Sequence, residues 1–88
     1  MERSTDKPGV MPLSHVPPGT EATVARLSGG GTFQNRLLSM GLNIGCRVRV
    51  LRGSNGAGGP VLVALGQTRL AIGRGMADRI LVSPVPPP

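Results

Sequence analysis

Few side chains in this sequence can do covalent or metal chemistry. The 88 residues hold one histidine, His15, one cysteine, Cys46, and four acids. A structural zinc or iron site draws three or four such ligands together at recognisable spacing, and these residues match no such motif. Met40 and Met76 offer soft sulfur but no second ligand beside them. Nucleophilic catalysis would need Cys46 or a serine next to a base. His15 is the sole imidazole, it falls in a turn ahead of the first long strand, and nothing in the sequence places it near Cys46. The run Gly29-Gly30-Gly31-Thr32 precedes a helix, where backbone amides can cradle an anion. It lacks the Gly-Lys-Ser/Thr ending of a phosphate-binding loop and reads as a tight strand-to-helix turn. The expectation is no catalytic residue, no metal site, no cofactor and no small-molecule substrate.

Charge is the stronger signal. The formal net charge is +6, and nine of the ten positive residues are arginine. Cys46-Arg47-Val48-Arg49-Val50 alternates, so Cys46, Val48 and Val50 share one strand face and Arg47 and Arg49 the other. Arg69 projects outward from a later strand, and Arg26, Arg36, Arg52, Arg74 and Arg79 can extend the patch. Basic domains meet nucleic acid, anionic lipid or acidic protein surfaces. Single-stranded nucleic acid is usually held on stacking aromatics. This chain has one aromatic, Phe33, and its helix stripe needs that ring inside. The same scarcity removes proline-peptide recognition in an aromatic-lined groove. Docking on an acidic protein or anionic membrane surface fits the charge, with nucleic-acid binding as the runner-up.

The elements that position these residues follow from pattern. Gly and Pro make up 23 of 88 residues, 14 and 9 respectively, which favours a turn-rich β fold. One cysteine excludes an internal disulfide. No apolar run approaches the ~20 residues of a membrane helix. The first residues lack the apolar stretch of a signal peptide, so the expected location is the cytosol. Residues 1–11 read as a disordered tail, 12–83 as the folded domain, and the proline-rich 84–88 as an extended tail. Strands are expected at Thr20–Leu27, Cys46–Arg52, Val61–Leu65, Thr68–Ile72 and Arg79–Val82. Leu27 is out of phase with Ala22 and Val24, which requires a bulge near Ala25 or Arg26. Gly66-Gln67 is a two-residue hairpin turn with glycine leading. Phe33, Leu37 and Met40 form a helical stripe, with Thr32 as a candidate N-cap and Gly41 closing the C-terminus. Gly73–Asp78 reads as a tight turn or short 3₁₀ piece. The fold expected is mainly β: a small, partly open barrel of about five strands with one short inserted helix.

Several segments resemble the FeoA family. They are Pro12-Leu13, Pro18-Gly19-Thr20, Gly29 to Gly31, Arg36-Leu37-Leu38-Ser39-Met40-Gly41-Leu42, Gly45, Val48 to Leu51, Gly59-Pro60, Leu70 to Arg74 and Ala77 to Val82. The Leu-Leu-x-Met-Gly-Leu-x-x-Gly core is the most specific part. The resemblance implies an SH3-like barrel with an inserted helix. It also implies a small cytosolic accessory protein, not an enzyme, that docks on the cytosolic part of a FeoB-type ferrous iron permease. The same module occurs as the C-terminal domain of iron-dependent repressors. A basic nucleic-acid-binding module, or a stand-alone relative of that repressor domain, is therefore the alternative. The contact face expected is Gln34, Arg36, Leu38, Met40 and Leu42 on the helix and its flanking turn, with Arg47 and Arg49. Leu38 and Leu42 lie off the helix stripe, so one of them is a candidate for exposure to a partner, and self-association stays open.

Overall fold

The computed structural model describes residues 10–53 and 59–85. Six strands form one sheet: β1 (Met11–Pro12), β2 (Glu21–Leu27), β3 (Arg47–Arg52), β4 (Val61–Leu65), β5 (Thr68–Ile72) and β6 (Ile80–Pro84). Their spatial order is β1-β6-β2-β3-β4-β5, with antiparallel pairing throughout. Helix α1 (Gly31–Ser39) lies between β2 and β3, and the one-turn helix α2 (Arg74–Ala77) between β5 and β6. The inward residues Ala22, Val24, Val48, Val50, Val61, Val63, Ile72, Ile80 and Val82 join Leu13, Val16, Leu37, Leu42 and Ala77 in a single core cluster. Side chains from five strands meet in one cluster only if the sheet curls around it, which also shortens its exposed edges.

The sheet runs past both expected domain boundaries. Met11 pairs with Val82 and Pro12 with Leu81, which makes the sixth strand. At the other end Pro84 lies opposite Ala22 in β6, and the Val85 amide donates to the Glu21 carbonyl at 2.8 Å. That bond makes Glu21–Val85 a hydrogen-bonded pair, so the neighbouring Ala22–Pro84 pair is not one. The missing N–H of Pro84 thus faces away from β2, and no ladder bond is lost. Of the two expected tails, residues 1–9 and 86–88 lie outside the described residues.

Two register shifts bend the sheet. The first, between Val24 and Arg26, places Ala25 and Arg26 against Leu81 and returns Leu27 to the core side, half-buried. The second, between Val50 and Arg52, leaves Leu51 as the extra residue on the outer surface, and alternation alone did not reveal it. The hairpin joining β4 and β5 turns at Gly66, whose φ of +63° suits the leading position.

Helix α1 begins two residues earlier than the sequence suggests, with Gly30 rather than Thr32 at the N-cap. Its other end explains a larger departure. The Gly41 amide donates to the Leu38 carbonyl and the Leu42 amide to the Leu37 carbonyl, each at 2.9 Å, while Gly41 takes φ +91°. This paired cap folds the residue after the glycine back onto the last helical turn. Leu42 therefore packs beside Leu37 in the core and is fully buried, so it is withdrawn from the expected contact face.

Candidate functional site

Four strands line up one outward residue each. Glu21 of β2 is opposite Arg49 of β3, Arg49 opposite Ala64 of β4, and Ala64 opposite Arg69 of β5. Adjacent strands are ~4.8 Å apart, so two guanidinium stems flank a methyl group about 10 Å from end to end. The small Ala64 between two long arginines leaves a hollow of about 670 Å³, lined by Glu21, Arg47, Arg49, Leu51, Ala64, Gln67 and Arg69 among others. Arg47 adds a third guanidinium from the same strand face as Arg49. The alternation of β3 thus holds both residues where the sequence reading puts them, and both are exposed. Glu21 and Gln67 join them only through cross-strand register, which one strand's sequence does not carry.

The helix part of the expected face divides. Gln34 and Arg36 are exposed, and the Gln34 side-chain amide donates to the Gly29 carbonyl at 3.1 Å. Leu38 is 48% exposed, and Ile44 in the following turn is 59% exposed. Met40 is half-buried against the core. Arg36 opens onto a separate hollow of about 420 Å³ with Gly30, Gly31, Thr32, Phe33, Met76 and Arg79. There the Arg79 guanidinium sits 5.6 Å from the centre of the Phe33 ring, a cation–π contact that covers the one aromatic face. Arg36 and the pair Arg47 and Arg49 therefore line different concavities. The C-terminal end of α1 comes close to the end of β4: a Cβ on Gly41 would stand 3.0 Å from Leu65 Cδ2, one residue before the β4–β5 turn.

Among the described residues, no three of His, Cys, Asp and Glu come together as a metal site. His15 is exposed. Cys46 is half-buried at the head of β3, and its thiol donates to the Gly41 carbonyl at 3.5 Å. No helix among the described residues is long and apolar enough to cross a membrane.

A small, curled antiparallel sheet with a helix inserted after its second strand, and arginines ranged on its outer face, defines an SH3-like module. The family model for the FeoA domain matches residues 11–84, nearly the whole described region. The chain belongs to the FeoA family, accessory proteins of ferrous iron transport. It is 39% identical over 71 residues to an Fe(2+) transport protein A of Methanocaldococcus jannaschii, covering 81% of this chain and 83% of that one. It superposes on a crystal structure of an iron uptake regulatory protein, FeoA, with a TM-score of 0.79 and 37% identity. That match covers 86% of this chain and 99% of the other. A manganese-dependent transcriptional repressor matches with a TM-score of 0.79 and 28% identity over 90% of this chain but 43% of its own.

Proposed function

We propose that this chain is a non-enzymatic docking module that acts on the cytosolic side of a FeoB-type ferrous iron permease. The observation that carries this reading is the outward arginine face of β3 and β5. Arg47, Arg49 and Arg69 line one hollow in a domain of net charge +6. Such a face attracts an acidic protein surface and steers its approach. The exposed Leu38 and Ile44 supply apolar area on α1 and in the turn that follows it. Nucleic acid fits this surface less well, because Phe33 is half-buried beneath Arg79 and offers no open stacking platform.

The test reverses two charges on the outer face. Arg47→Glu with Arg49→Glu leaves Val48 and Val50 in the core, so the fold survives. The double variant is expected to lose copurification with the permease from membranes and to lose permease-dependent iron uptake in cells. The wild-type protein should bind RNA and single-stranded DNA no more tightly than ~10⁻⁴–10⁻⁶ M at physiological salt, the level of non-specific contact. Sub-micromolar nucleic-acid binding, with uptake untouched by the double substitution, would replace this reading with the nucleic-acid one.

A further inference from the structure

Strand β5 ends the sheet. It pairs with β4 alone, and among the described residues no other backbone hydrogen bond reaches Thr68–Ile72. The hairpin register decides which groups are left over. Leu65 and Thr68 close a two-residue turn and so form a hydrogen-bonded pair. Such pairs alternate along an antiparallel ladder, so Thr68, Leu70 and Ile72 turn their N–H and C=O groups to β4. Arg69 and Ala71 turn theirs outward, which leaves two donors and two acceptors in a row along the open edge. Natural edges are usually blunted by proline, a bulge, charge or extreme shortness. This edge has five residues and no proline or register shift, and its charge is the single Arg69.

We propose that the β5 edge receives an extended acidic segment of a partner as one further strand. The added strand would form hydrogen-bonded pairs at Arg69 and Ala71. Its residue opposite Arg69 would stand ~5.5 Å away between Cα atoms, where a carboxylate meets the guanidinium. Charge selects this occupant. The outward row runs Glu21, Arg49, Ala64 and Arg69, so it ends at the open edge on an exposed positive charge that an acid at the next position would complement. A second copy of this chain would instead bring another domain of net charge +6 to the same edge. The inference deepens the docking reading and rests on the same arginine face, but it assigns the contact to backbone pairing at one strand.

The probe is a capped heptapeptide alternating glutamate with valine, set against its lysine–valine counterpart and titrated into the ¹⁵N-labelled full chain. The glutamate peptide should shift the Arg69 and Ala71 amides first and slow their hydrogen exchange; the lysine peptide should not. Ala71→Pro removes one outward donor at a position where an edge strand tolerates proline, so the spectrum stays folded and the glutamate peptide no longer binds. Arg69→Glu keeps the backbone edge and should weaken the glutamate peptide several-fold while admitting the lysine peptide. Three results would overturn the proposal: no response at Arg69 and Ala71 at millimolar glutamate peptide, undiminished binding to folded Ala71→Pro, or concentration-dependent shifts at these amides without peptide, which mark self-pairing. Permease copurification separates the two readings. Ala71→Pro that still copurifies, while Arg47→Glu with Arg49→Glu does not, removes the edge and leaves the docking module standing.

Discussion

Leu37 and Gly41 carry more of this fold than their size suggests. Leu37 is fully buried, and its carbonyl accepts the Leu42 amide, so one residue joins the helix stripe to the cap that seats Leu42. Leu37→Ala should cost about 2–5 kcal/mol, the usual range for truncating a buried leucine. In a domain with one thin core that loss can approach the whole stability. A change below ~1 kcal/mol in urea melts would mean that Leu37 is not the anchor of α1. Gly41 holds φ +91°, a conformation that costs an L-residue about 1–2 kcal/mol. Gly41→Ala should show a stability loss of about that size in the same melts. The added methyl meets only the flexible tip of Leu65, so the backbone sets most of the penalty.

At the scale of elements, the short pieces are held by their neighbours. Helix α1 has nine residues, too few to persist alone, and stands because Leu37 enters the core with Phe33 and Met40 beside it. Helix α2 is one turn long. It is tied to the chain's opening 3₁₀ turn, Leu13–His15, where the Ser14 hydroxyl donates to the Asp78 carboxylate. Ser14→Ala should therefore destabilise by ~1 kcal/mol, the net worth of one hydrogen bond. It should also speed hydrogen exchange at the Ala77 and Asp78 amides, which accompany the α2 turn. Unchanged exchange there would show that Ala77, buried in the core, suffices to hold α2.

At the scale of the whole molecule, fourteen buried apolar side chains among the described residues, from both halves of the chain, form one core. Its stability comes from apolar burial, which needs no ion. Thermal melts with chelator and with added ferrous iron should coincide. A fall of many degrees on chelation would reveal a resident metal. The two basic concavities, one under Arg47, Arg49 and Arg69 and one beside Arg36 and Arg79, share no lining residue. A partner can therefore engage the β3–β5 face without touching the Phe33 hollow.

Local periodicity was enough to locate β2 to β6, α1, the bulge that returns Leu27 to the core, and the Gly66-Gln67 turn. Each of these depends on residues within a few positions of one another: alternation for strands, a three-to-four spacing for the helix, glycine where φ is positive. Arg47 and Arg49 were readable as outward for the same reason. The remainder depends on partners far apart in sequence. Met11 becomes a strand because Val82 offers it an edge, and Pro84 is tolerated because its nitrogen faces away from the β2 ladder. Leu42 looked available by helical phase, yet the cap at Gly41 turns it inward against Leu37. The row from Glu21 to Arg69 arises from four strands in register. No single strand encodes that row, because which residues lie opposite one another is decided only when the sheet closes around its core.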